Sequence, residues 1–238
     1  MEDARATVAV QKLVEIASHD LRNPLSVIMV NAAVLSRAEP LDDSRRIKAA
    51  SRILSNVGRM NRMIGDLLDF AYERIGAAVR TKPTDLDLGE LAAKAVDEAR
   101  ASTPSRTFEL EQSGDLRGRW DLDRMLRGLQ TMIASALRFG NPDDTVHVSV
   151  LAAGIEVELR VVVSANPAIV EHVQHLLASL HAGAEIERDG YWIAVAVLRQ
   201  TVEAHGGTLF ASASATEGIR FVVRLPRQSE SGEKAAVR

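Results

Sequence analysis

The chain has 238 residues, 46% of them apolar and only 4% aromatic, with no cysteine and a formal net charge of −3. Such a composition gives a globular protein with an aliphatic core, and its mixed charges point to neither nucleic acid nor an acidic membrane surface. Lack of cysteine excludes disulfides and thiolate metal sites and suits the cytoplasm. No apolar run nears the ~20 residues that span a bilayer, and the N-terminus is too charged for a signal peptide.

From about Thr7 to Arg37 the spacing predicts one long helix. Val10, Val14, Ala17, Leu21, Pro24, Ile28, Asn31 and Leu35 alternate steps of four and three along it. His19 and Asn23 lie one turn apart on one face. His19 is two residues from both Ala17 and Leu21, which turns it away from the apolar stripe and toward solvent. Beside Asp20, an exposed imidazole can be held in one tautomer and made more nucleophilic. Taken alone, such a pair is far more often a solvated surface histidine.

The run AEPLDD ends this helix, with Pro40 as breaker and Asp42 or Asp43 as the next N-cap. A second helix is predicted to about Glu73, with Ile47, Ala50, Leu54, Val57, Asn61, Ile64 and Leu68 in one stripe and Ile53, Met60 and Leu67 beside it. A lone helical hairpin cannot bury two wide apolar faces, so residues 1–79 are expected to pair with a second copy as a four-helix bundle. Packing of the hairpin on the rest of the chain is the alternative.

Residues 80–86, RTKPTDL, read as a linker. Residues 87–226 read as mixed α/β. Helices are predicted over Leu88–Arg100, Asp121–Phe139, Ala168–Leu180 and Trp192–Ala204. Strands are predicted over Thr107–Leu110, Leu116–Arg119, Thr208–Ala213 and Ile219–Leu225, with a hairpin of Thr145–Ala152 and Ile155–Ser164 turning at Ala153-Gly154. Gly206-Gly207 reads as a helix C-cap. The tail 227–238 is charged and nearly free of apolar residues, which predicts disorder. His172 and His175, with His181 nearby, lack an acidic third ligand at fixed spacing, so no metal site is expected.

The seven residues His19 to Leu25, HDLRNPL, resemble the phosphoacceptor box of sensor histidine kinases at every position. The resemblance implies that His19 carries a phosphoryl group as a phosphoramidate, that Asp20 is its neighbouring base, and that Asn23 orients a water for hydrolysis of a partner's aspartyl phosphate. Pro24 is expected to bend the helix past the site. The box begins 18 residues into the chain, so the input signal is expected from a partner.

The order of the later elements, and the runs VEAHGG and EGIRFVVRLP, resemble the ATP-binding domain that follows this hairpin in the same family. The implied fold is an α/β sandwich of the histidine-kinase ATPase type. Its nucleotide motifs are not kept. The two asparagines of the first, four apart, are replaced by Thr131 and Ser135, and a serine is a weak magnesium ligand beside an amide. The Asp-x-Gly-x-Gly motif is replaced by Ser164, Asn166 and Ala168. The glycines that let backbone amides close on phosphates are replaced by Trp192 and Ala194, and an indole there blocks the approach. Tyr191 and Trp192 could fill the emptied cleft. Arg138 stands where the family has a phosphate-facing base, and alone it reads as a surface charge. Each lost contact costs about 1–3 kcal/mol, so several together remove orders of magnitude in ATP affinity.

The expected function is therefore histidine phosphotransfer between receiver domains of response regulators. The protein would be a cytoplasmic homodimer that needs no cofactor of its own, with magnesium supplied by the receiver. A sensor kinase is a further candidate partner; nucleic acid and membrane are not. The alternatives are a kinase with a divergent ATP site, a non-catalytic module that blocks a kinase or regulator, and a regulator phosphatase.

Overall fold

The computed structural model describes residues 21–36, 42–74, 81–181 and 191–227, with side chains at all of these except 62, 66, 68–74, 179–181, 191 and 192. The chain divides into two compact units, Met1–Ala78 with Ile186–Ala194 and Val79–Glu185 with Val195–Arg238.

In the first unit, residues 21–35 form helix α1 and Asp43–Arg74 form helix α2. Asp42 caps α2: its carboxylate accepts the Arg45 amide at 2.8 Å and its carbonyl accepts the Arg46 amide at 3.1 Å. The two apolar stripes foreseen for α2 have different surroundings. Ile53, Met60 and Leu67 are half-buried and Ala49 is buried. Ile47, Leu54, Val57 and Ile64 are exposed, Leu54 to 72%. On α1, Pro24 and Asn31 are buried, whereas Leu25, Val27, Met29 and Val30 are exposed. Asn31 meets part of its hydrogen-bonding need within its own helix, donating to the Val27 carbonyl at 2.8 Å.

The second unit runs β1 (Thr84–Asp87), α3 (Leu88–Ser102), β2 (Phe108–Ser113), β3 (Arg117–Trp120), α4 (Leu122–Phe139), β4 (Val146–Ala153), β5 (Glu156–Val163), α5 (Pro167–His181), α6 (Tyr191–Ala204, from Val195 onward in this unit), β6 (Thr208–Ser214) and β7 (Gly218–Pro226). Five strands form one sheet in the order β2-β4-β5-β7-β6, in which only β2 and β4 pair in parallel. Alternation along the strands sends Val146, Val148 and Val150, Val157, Leu159 and Val161, and Ile219, Phe221 and Val223 into the core. Helices α3 and α4 pack on this sheet at β4, and α5 packs at β6 and β7. Their buried stripes (Leu91 and Val96, Leu129 and Met132, Val173 and Leu176) complete the sandwich. Gly206, with φ +72°, closes α6: its amide reaches the Glu203 carbonyl and that of Gly207 reaches the Val202 carbonyl.

One stretch departs from its sequence reading. Thr84–Asp87, placed largely in the linker, is a strand that pairs antiparallel with β3. The pairing needs Gly118: a Cβ there would stand 2.2 Å from the Trp120 ring, which lies over that backbone. Trp120 is fully buried, and its indole N–H donates to the Pro226 carbonyl at 3.0 Å, tying this small sheet to the end of β7. The expected tail lies outside the described residues from 228 onward.

Candidate functional site

Two regions hold the described residues at which the sequence predicts chemistry. On α1, Asn23 is exposed, Pro24 behind it is buried and Leu25 is 45% exposed. Pro24 has no amide to give to the carbonyl four residues back. The Ser26 hydroxyl donates to the Arg22 carbonyl at 2.9 Å, so the helical ladder gains a bond in the turn that holds the proline. His19 and Asp20 lie outside the described residues.

The second region is the end of α4 and the end of β5, which the Asn141 amide joins by donating to the Ser164 carbonyl at 2.9 Å. Gly140 makes the approach possible, since a Cβ there would meet Val163 at 2.5 Å. Thr131 and Ser135 stack one turn apart on α4. Ser135 is fully buried, and its hydroxyl donates to the Thr131 carbonyl at 2.6 Å. Arg138, in the last turn, is exposed and lies 5.3 Å from the ring of its neighbour Phe139.

Ser164 and Ala168 are exposed. Asn166 has a task that the sequence reading missed: it is the N-cap of α5. Its side-chain oxygen accepts the Ile169 amide at 3.0 Å and its carbonyl accepts the Val170 amide at 3.0 Å. The signal was present, because Asn-Pro at the head of an apolar helical run is an N-cap followed by an N1 proline. Trp192 and Ala194 fall in the first turn of α6, where Ala194 is half-buried and the Trp192 side chain, like that of Tyr191, lies outside the described set.

A further cluster, at the head of α4, joins distant residues. Asp121 caps α4 by accepting the Arg124 amide at 3.1 Å, and its other carboxylate oxygen accepts the Lys82 amide at 2.8 Å. Its own amide donates to His205 Nε2 at 3.0 Å. His205 is fully buried and its Nδ1 lies 2.7 Å from the Thr201 carbonyl. Burial pushes this imidazole below its ordinary titration range. On the opposite face of the sheet, Glu158 is held by Arg224 at 2.9 Å and by Arg160. Burial works to raise the Glu158 carboxyl, but hydrogen bonds from the two guanidiniums, and their charge, outweigh it and leave it lowered.

The ring of His172 lies 6.4 Å from that of Phe139. Among the described residues no three histidine or acidic side chains gather as metal ligands. None of the described helices is long and apolar enough to cross a membrane.

Residues 9–74 match the His Kinase A (phospho-acceptor) domain. The chain is 27% identical over 229 residues to a bacteriophytochrome of Pseudomonas aeruginosa, a match that covers 94% of this chain and 31% of the relative. It thus spans about a third of that protein's length. Among solved structures it resembles the Acinetobacter baumannii histidine kinase AdeS, with a TM-score of 0.55 at 15% identity over 88% of this chain and 98% of the other. It also resembles the histidine kinase ThkA solved in complex with the response regulator protein TrrA, with a TM-score of 0.55 at 15% identity over 97% of this chain and 65% of the other. A phospho-acceptor match over the helical hairpin is thus followed by a mixed-sheet domain with the fold of solved histidine kinases, the two parts of a histidine kinase core.

Proposed function

We propose that the protein is a dimeric histidine phosphotransferase that exchanges phosphoryl groups with receiver domains in the cytoplasm and does not use ATP itself. The observation that carries this reading is an asymmetry between the two halves. The acceptor box HDLRNPL is complete and lies inside the matched phospho-acceptor segment. At the nucleotide positions, the Ser135 hydroxyl is given to a helix carbonyl and Asn166 caps α5. Ser164, which replaces the adenine-binding carboxylate, carries no charge. This donor set does not fit a magnesium nucleotide, for want of a carboxylate at one end and an amide ligand at the other.

In the proposed reaction a ring nitrogen of His19 attacks phosphorus in the aspartyl phosphate of a receiver. The P–N bond forms, the P–O bond breaks, and the aspartate carboxylate leaves with the electron pair. Asp20 offsets the positive charge that develops on the imidazole. Attack by a second receiver's aspartate reverses these steps. The receiver brings magnesium and its acid cluster, so this chain has only to present an oriented imidazole and a docking surface. Exposed Leu25 on α1 and the stretch of α2 from Met60 would form that surface; docking on a response regulator is also how the neighbour ThkA was solved. The exposed stripe of Ile47, Leu54, Val57 and Ile64 supports assembly with a second copy.

The test is to mix the protein with a receiver phosphorylated by its own kinase, remove ATP, and follow the label. Wild type should gain acid-labile, base-stable phosphate and His19→Ala should gain none. Asn23→Ala should keep transfer but slow loss of phosphate from the receiver. Absence of label across a broad panel of receivers would overturn the reading, and labelling from ATP alone would establish a working kinase in its place.

A further inference from the structure

We infer that Asp121 and His205 form a latch on the segment that enters the α/β unit, and that a proton on His205 opens it. The latch operates whether or not the chain transfers phosphoryl groups.

A backbone amide can only donate. The 3.0 Å contact from the Asp121 amide therefore makes His205 Nε2 an acceptor and puts the ring proton on Nδ1, where it donates to the Thr201 carbonyl at 2.7 Å. The imidazole is thus fixed, neutral and without access to water. It ties the last turn of α6 to the residue before α4. The carboxylate of that same residue, itself 8% exposed, receives the Lys82 amide at 2.8 Å, two residues ahead of β1. Residues from three separate parts of the chain thus converge on Asp121.

A second ring proton puts a donor at Nε2 against the donating Asp121 amide, and that bond cannot persist. Two charged groups face the ring: Asp121 favours the imidazolium and Arg124, one turn into α4, opposes it. From α6 comes the Thr201 carbonyl, already used. The acidic group that favours the imidazolium is the Asp121 carboxylate, whose oxygens hold Lys82 and the first turn of α4. Satisfying the ring withdraws the anchor from Lys82. Burial keeps His205 neutral around pH 7, so the latch is closed there and opens on the acid side.

The experiment is amide hydrogen exchange by NMR on the full chain at pH of about 7.5 and about 4.5, the lower value set beneath the ordinary histidine range because burial lowers this imidazole. Val148 and Val161, paired at the sheet centre, report whether the fold is intact. The Lys82 amide should lose about tenfold in protection on acidification while Val148 and Val161 keep theirs. The His205→Gln variant, which keeps an acceptor and cannot titrate, should show the same Lys82 protection at both pH values. Unchanged protection in wild type, or an equal loss in His205→Gln, would overturn the latch. If His205→Gln does not fold, the wild-type ring nitrogen shifts decide. The His205 titration midpoint must coincide with that of Lys82 release, and separate midpoints reject the coupling.

Discussion

Leu54 lets the assembly of the hairpin be weighed. It sits in the middle of the α2 stripe and is 72% exposed in the single chain, with Ile47, Val57 and Ile64 exposed along the same helix. Burying a leucine side chain completely is worth about 1.5–3 kcal/mol. Covering the exposed part of Leu54 in a dimer therefore contributes about 1–2 kcal/mol per copy, and a two-fold interface counts it twice. Because alanine keeps one methyl of that side chain, Leu54→Ala should weaken the dimer by about 2–3 kcal/mol, or roughly thirty- to a hundred-and-fiftyfold in dissociation constant. Leu54→Asp adds an unpaired carboxylate from each copy in an apolar seam, at a further cost of several kcal/mol, and should give monomers at micromolar concentration. Neither change should cost the helix itself much, because the site is open in one chain and alanine is a strong helix former. Sedimentation equilibrium gives the dissociation constants, and circular dichroism checks that the helices persist. Dissociation constants for both variants within threefold of wild type would refute the assignment of this stripe to the seam.

Calorimetric titration of magnesium-ATP should show no measurable heat of binding; a micromolar dissociation constant would return the chain to the working kinases. Glu158 titrates below its ordinary 4.5, so its stabilisation is present above that pH and is lost as pH falls through the folded value. With Arg160 and Arg224 partly solvent-exposed, Glu158→Gln should cost about 1–2 kcal/mol at pH 7 and flatten the acid limb of the stability curve. Equal urea midpoints for the two proteins at that pH would refute this. Asn166→Ala should cost about 1 kcal/mol as a lost cap while Asn166→Gly costs a few tenths. A urea midpoint for Asn166→Ala equal to that of wild type would show that the cap carries no stability.

What was legible in the sequence is what short-range chemistry dictates. Asp42 and Asp87 stand before apolar helical runs and cap them, Asp87 accepting the Gly89 amide at 2.8 Å. The paired glycines after α6 close it as their spacing foretells. Mixed α/β was legible because apolar periods near 3.6 and near 2 alternate after the linker, whereas the sandwich type came with the family resemblance. Strand β1 was missed because four residues with two acids carry no apolar alternation of their own; its partner lies more than thirty residues on, and a glycine beneath a tryptophan makes room for the pairing. Periodicity also showed two stripes on α2 but not which one is half-buried, since that depends on what surrounds the helix. The Asp121–His205 contact joins residues 84 apart in sequence, and no local pattern encodes such a pair.

On the proposed reading, the nucleotide positions and the core that carries them answer to different constraints. Met132, Ile133 and Ala136 share α4 with Thr131 and Ser135 and are all 3% exposed or less. They are held by the sheet, whatever the outer end of the helix does. A serine at 135 costs the helix little because its hydroxyl bonds back to Thr131, whereas an asparagine held to bind a cation needs its amide oxygen turned outward. Asn166 gives its oxygen to the head of α5, which fixes that loop as the start of a helix instead of a mobile glycine turn. On that reading, these two positions exchange a contact with a ligand for a contact within the chain. The α/β unit can therefore stand without nucleotide and still offer a firm anchor, through Asp121, to the segment that leads into it from the phosphoacceptor hairpin.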